Sequence, residues 1–154
     1  MRRLLFALAG ACLALAPGAP WAEGTSEQAP AAMLERDYAD GLKAIEARNW
    51  SDAIRLLSSA ALRDTRNADI QNYLGFAYRN AGDLSAAFMH YNRALTLNPR
   101  HRGAHEYIGE AYLMIGNRAK AEEHLAALKK ICLLPCDEYG HLEKKVAESS
   151  APAK

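Results

Sequence analysis

The stretch Ala68–His101, ADIQNYLGFAYRNAGDLSAAFMHYNRALTLNPRH, decides the fold of this chain. Leu74, Ala77, Tyr78 and Ala81 recur at steps of three and four, so they share one face of a helix. Ala87, Tyr91, Ala94 and Leu95 repeat that stride and form the matching stripe of a second helix. Gly75 carries no side chain and lets the second helix approach closely. Between the two, Gly82 supplies a left-handed residue that ends the first helix, and Asp83 a side-chain cap that starts the second. Pro99 stops the second helix, because proline disfavours helix at the residue before it. A lone hairpin of this kind cannot bury its apolar face. It requires neighbours.

The chain supplies them in phase. A shift of 34 residues towards the amino terminus lands on 34–67 without a gap. There Gly41 takes the place of Gly75, Trp50 that of Leu84, Ala53 that of Ala87, and Ala60-Ala61 that of Ala94-Leu95. Asp40, Ala44, Arg48 and Thr65 depart from the pattern, which puts the outer face of this first hairpin in doubt but not its existence. Asn49 is expected to take the left-handed turn position and Ser51 the cap. The opposite shift gives 102–135, where Ile108, Gly109, Tyr112, Gly116 and Ala121 fall in register, Leu125 and Leu128 take core positions, and Asn117 can cap. Beyond it, Tyr139, Leu142 and Val146 recur at helical spacing, with acids first and lysines last, as the helix dipole prefers. Residues 136–148 therefore read as a helix that covers the open side of the third hairpin, and 149–154 as a frayed tail.

The run Gln71-x2-Leu74-Gly75-x2-Tyr78, then Ala87-x3-Tyr91, then Pro99 resembles the tetratricopeptide repeat, whose signature is W-x2-L-G-x2-Y, A-x3-F and Pro over 34 residues. Gln71 stands where that signature has Trp, and Tyr91 replaces Phe. The resemblance spans residues 34–135. It implies an all-α fold, an α-solenoid of three helix–turn–helix hairpins with a carboxy-terminal capping helix.

Composition agrees with one helical domain. The chain has 154 residues, 50% of them hydrophobic, and a formal net charge of +1. Such a balance offers no broad attraction to nucleic acid or to anionic membrane. The amino terminus is separate: Arg2 and Arg3 precede the apolar run Leu4–Ala16, then Pro17, Gly18, Pro20 and Trp21-Ala22-Glu23. That order is the one of a secretory signal peptide over residues 1–22, cleaved after Ala22, with a polar leader at 23–33. Its short arginine-led start is of the bacterial kind and places the mature chain, without a membrane span, in a periplasm. An uncleaved anchor and lipid attachment at Cys12 are the lesser alternatives.

Cys132 and Cys136 are the thiols left after cleavage. In an oxidising compartment so close a pair forms a disulfide, worth about 2 kcal/mol on the chain-entropy model. Two other readings stay open behind it: a soft metal site completed by His141, and a redox pair. Neither Cys-x-x-Cys nor Cys-x-x-Cys-His occurs. His101 and His105 are four apart, and His90 and His124 occupy equivalent places on the second helices, positions that suit solvated or half-buried rings better than a metal pair. No nucleophile–base constellation and no phosphate-cradling glycine loop is present, so neither enzyme activity nor a cofactor is expected.

What the family resemblance implies for function is a concave groove lined by the first helix of each hairpin. Carried over by position, the partner-binding residues are Tyr38 and Leu42, with Ile45 beside them, then Asn72, Phe76, Arg79 and Asn80, then Glu106, Glu110 and Leu113. The apolar members would hold side chains of a protein or peptide client, the asparagines its backbone, and Arg79 an acid. Tyr38 and Leu42 replace the first polar pair of the basic clamp by which chaperone-binding relatives hold a carboxylate, so that binding mode is not expected. The expected function is a non-enzymatic scaffold. A metal or redox accessory protein and an oligomerisation module filling its own groove are the alternatives.

Overall fold

The computed structural model describes residues 28–149; the expected signal peptide and residues 150–154 lie outside the described residues. Seven helices follow one another: α1 (Gln28–Glu46), α2 (Trp50–Arg63), α3 (Ala68–Asn80), α4 (Leu84–Leu97), α5 (Arg102–Met114), α6 (Arg118–Ile131) and α7 (Asp137–Glu148). No strand occurs among the described residues. Helix α1 starts upstream of Leu34, inside the segment read as a leader. Ala31 and Ala32 are strong helix formers, and Pro30 falls in the first turn, where its missing N–H is not needed.

Each hairpin turn is built from a positive-φ residue followed by a capping side chain. Gly82 (φ 90°) precedes Asp83, whose carboxylate accepts from the Ala86 N–H, and Gly116 (φ 73°) precedes Asn117, which accepts from Lys120. In the first hairpin both residues lie earlier than expected: Arg48, not Asn49, takes the positive φ of 56°, and Asn49, not Ser51, is the cap. The asparagine oxygen reaches the Asp52 N–H better from the cap than from the turn, so Arg48 bears the left-handed strain.

The odd helices touch one another in sequence, α1 to α3, α3 to α5 and α5 to α7, while α2, α4 and α6 contact only odd helices. Odd helices thus line the inner side and even ones are splayed on the back. Three cores result: one around Leu57, Ile70 and Leu74, one around Tyr91 and Ile108, and one around Leu128, Leu142 and Val146. Leu142 and Val146 come from α7, which covers the third hairpin as its apolar stripe predicts. Arg118, a polar residue at a normally apolar place, reaches across to the Val146 carbonyl at 2.6 Å and ties α6 to the end of α7. Asp40 of the first hairpin pairs with Lys43 at 2.9 Å in water, as a terminal repeat allows.

Close approach is strictest at Gly75, where an added Cβ would lie 2.5 Å from two carbons of the Tyr91 ring. That ring is fully buried and cannot move aside. Its hydroxyl, however, has no hydrogen-bond partner.

The missing Trp of the family pattern is replaced by a repeated polar stack. In the second repeat the His90 Nδ1–H donates to Gln71 Oε1 at 2.8 Å, and the ring stacks on Tyr78 with centroids 5.3 Å apart. One period on, His105 stands in Gln71's place, 2.9 Å from His124, whose ring stacks on Tyr112. Because His105 donates through Nε2 to the Pro99 carbonyl, its Nδ1 accepts from His124 and both rings are neutral. Burial, and then the neighbouring His105, hold His124 down to about 4.

Two measurements follow. In urea, Gly75→Ala is expected to lose about 1–3 kcal/mol by overpacking, whereas Tyr91→Phe, which removes an unpaired buried hydroxyl, costs nothing or stabilises. As for pH, His124 is harder to protonate folded than unfolded, so its contribution is complete above the ordinary value of 6.5 and is lost as pH falls towards about 4. A series of urea midpoints across that window should fall on the order of 1 kcal/mol further for the wild type than for His124→Gln, solvent screening included.

Candidate functional site

The inner face is a grid. Residues one period apart occupy equivalent places on α1, α3 and α5, giving the rows Tyr38–Asn72–Glu106, Leu42–Phe76–Glu110 and Ile45–Arg79–Leu113.

The floor of the grid is aromatic. Phe76 lies 4.9 Å from the Tyr107 ring and 6.1 Å from that of Trp50, so half-buried rings run from α2 across α3 to α5. The Arg79 guanidinium sits 5.3 Å from the Phe76 centroid and 5.4 Å from that of Tyr107, within cation–π range of both. It also bonds the Glu110 carboxylate, with both side chains largely out of water. Arg79 is therefore a brace between α3 and α5 and not the free cation expected for a client's acid. Glu110 is engaged by the same contact. Asn80 is exposed at the groove, its amide donating to the Phe76 carbonyl at 2.8 Å. Leu42 is half-buried, while Ile45 and Leu113 pack against the first and third cores and serve mainly as walls.

The remaining row is polar. Tyr38 leans on Tyr73 at 6.2 Å, and burial, with Tyr73 and Asp69 nearby, pushes its phenol up to about 12. Asn72 is only 4% exposed, yet its Oδ1 has no hydrogen-bond partner. Glu106 is 6% exposed; burial pushes its carboxyl up, and the single hydrogen bond from the His141 Nδ1–H at 3.1 Å partly offsets this. Asn72 and Glu106 line one pocket of about 380 Å³ at the amino-terminal end of α3, α5 and α7. In its wall, His101 caps α5 through Nδ1 and donates to Asp69 at 2.9 Å through Nε2, and Arg102 pairs with Glu138 at 3.4 Å. A second pocket of about 420 Å³ continues past Arg79 and Asn80 towards Lys145.

Sequence reasoning missed Tyr73 and Tyr107. Neither was assigned a role, yet they stand one period apart on α3 and α5 and border the groove. That repetition was the available signal. His141, weighed as a metal ligand, faces Glu106 across the groove. The Cys132 and Cys136 sulfurs are at disulfide distance, 2.06 Å, with Cα atoms 6.0 Å apart. Among the described residues no group of three or more His, Cys, Asp or Glu is placed to hold a metal ion, and no helix is long and apolar enough to cross a membrane.

No protein-family model matches this sequence, and no curated protein is similar to it at a significant level. Solved structures do match. The TPR2B domain of yeast Sti1 in its pHsp70 complex superposes with a TM-score of 0.71 at 16% identity, covering 77% of this chain and 96% of that one. The Yersinia enterocolitica type III secretion chaperone SycD, in complex with a peptide of the translocator YopD, gives 0.67 at 18% identity, covering 81% and 91%. The first TPR of Spaghetti (RPAP3), bound to the HSP90 peptide SRMEEVD, gives 0.68 at 17% identity, covering 78% and 94%. At these identities the likeness speaks for architecture. The chain folds as a tetratricopeptide-repeat solenoid.

Proposed function

We propose that this chain is a non-enzymatic adaptor of the bacterial cell envelope that holds an extended peptide segment of a client protein along its inner groove. The observation that carries the reading is the half-exposed aromatic floor Trp50–Phe76–Tyr107 with the unpaired amide of Asn72 beside it. A fold needing only stability would cover such rings and leave no buried amide without a partner. Apolar side chains of a client fit the rings, and the amide suits a peptide group. Solved complexes of the same fold, in which SycD and the RPAP3 domain hold peptides, support this use of the groove.

The envelope setting rests on the sequence of residues 1–22 and on the Cys132–Cys136 pair, which we infer to be a structural disulfide fixing the start of α7. Protein recovered from the periplasm should begin at Glu23 and lack the mass of two hydrogens before reduction. Full-length mass with three free thiols, Cys12 included, would remove the envelope from the proposal.

A photo-crosslinking residue at Asn80, exposed in the groove, tests the surface against the same probe at Met89, exposed on the α4 back. Crosslinks from Asn80 alone, weakened about tenfold by Phe76→Ala/Arg79→Ala, are the expected result for a loss of roughly 1.4 kcal/mol. The same partners from both probes would mean that the groove is not the binding face.

A further inference from the structure

The row Tyr38–Asn72–Glu106 holds a feature that packing does not explain: a nearly buried carboxylate on the inner face whose hydrogen bond comes from an exposed histidine. The Glu106 side chain is 9% exposed and that of His141 67%. Burying a charge without a firm counter-ion is costly. The pocket that Glu106 shares with Asn72 contains three carboxylates, Asp69, Glu106 and Glu138, against the guanidinium groups of Arg100 and Arg102. Asp69 is held by His101 and Glu138 by Arg102, while Glu106 is held by His141 alone, the most exposed of these three partners. The Asn72 amide, 4% exposed and unpaired at Oδ1, stands in the same wall, as do Tyr73 and Tyr107.

We propose that this pocket receives one basic side chain, lysine or arginine, of the bound peptide, with Glu106 as its counter-ion and Asn72 completing its hydrogen bonds. The proposal rests on the groove reading above and adds the chemistry of one residue of the client. An incoming ammonium or guanidinium displaces His141, which turns into water at little cost because its ring is already mostly solvated. The tyrosine rings then offer their faces to the cation. Beside Glu106 an acidic side chain or a terminal carboxylate is disfavoured, since it would meet that carboxylate's charge at close range. The cost of keeping Glu106 ionised is borne by the free protein, so the carboxylate is a binding residue that weakens the fold. Burial holds it above the usual carboxylate range, in keeping with that cost.

Selection of random linear peptides from a display library on the mature chain, with wild type and Glu106→Gln in parallel, tests this. The expected outcome is one Lys or Arg at a constant place among the wild-type peptides. Selection on Glu106→Gln should lose that preference, and synthetic copies of the basic peptides should bind the variant at least about tenfold more weakly, as loss of a charged partner requires. Glu106→Gln is isosteric and relieves a buried charge, so its urea midpoint should equal or exceed that of wild type, which separates lost binding from lost folding. Peptides without a common basic residue, or an unchanged preference in the variant, would overturn the inference and leave the groove reading standing. If no peptide is selected, or if Phe76→Ala/Arg79→Ala binds as well as wild type, the groove reading fails and this one with it.

Discussion

The distance between paired helices is set where a glycine of the first helix lies against a large side chain of the second. At Gly75 that side chain is the Tyr91 ring and at Gly41 it is Leu57, with space for no Cβ at either place. Everything else in the solenoid is referred to this contact. It puts the alanines at 53, 60, 87 and 94 in full burial, and it fixes the rotation of each odd helix about its axis. That rotation decides which residues face inwards. The third repeat keeps the rule with another partner: Gly109 meets Leu142 of α7. The unpaired Tyr91 hydroxyl shows that the site selects for a ring and tolerates the oxygen.

Against this well-packed frame the inner face is built at some cost. Asn72 and Glu106 are buried polar groups, the first with an unpaired Oδ1 and the second held by one exposed histidine, in a row where the first hairpin has Tyr38. Local conflicts of this kind gather at functional sites, where complementarity to a partner replaces complementarity within the fold. The neighbouring row shows the opposite economy. Arg79, Glu110, Phe76 and Tyr107 satisfy one another and hold α3 to α5, so the groove floor is rigid before any client arrives.

The period, the turns at Gly82-Asp83 and Gly116-Asn117 and the covering stripe of α7 were legible in the sequence, because each depends on residues within one hairpin or on a repeat of it. The shift at Arg48-Asn49 was not, since two polar residues compete for the turn and only the geometry of the Asp52 amide chooses between them. The period orders the inner-face positions into rows, but it does not give the state of their side chains. The Arg79–Glu110 bond spans neighbouring repeats, and its distance follows from the solenoid's curvature, which no spacing encodes. For the same reason Gln71 looked like a simple departure from a Trp, and His105 like a solvated or half-buried ring. Their partners, His90 and His124, lie on the next helix, and only the fold reveals the repeated polar stack.

Helix α7 has a consequence for assembly. Leu142 and Val146 occupy the apolar side of the third hairpin, the surface that would otherwise accept the first hairpin of another copy in the way that α3 accepts α2. A contact of that head-to-tail kind does not close on itself and would propagate into fibres. At the other end the first hairpin presents the hydrated Asp40–Lys43 pair, which is a poor seat for any such neighbour. Among the described residues both end faces of the stack are therefore blunted, and a client held as proposed would be gripped over a length counted in repeats.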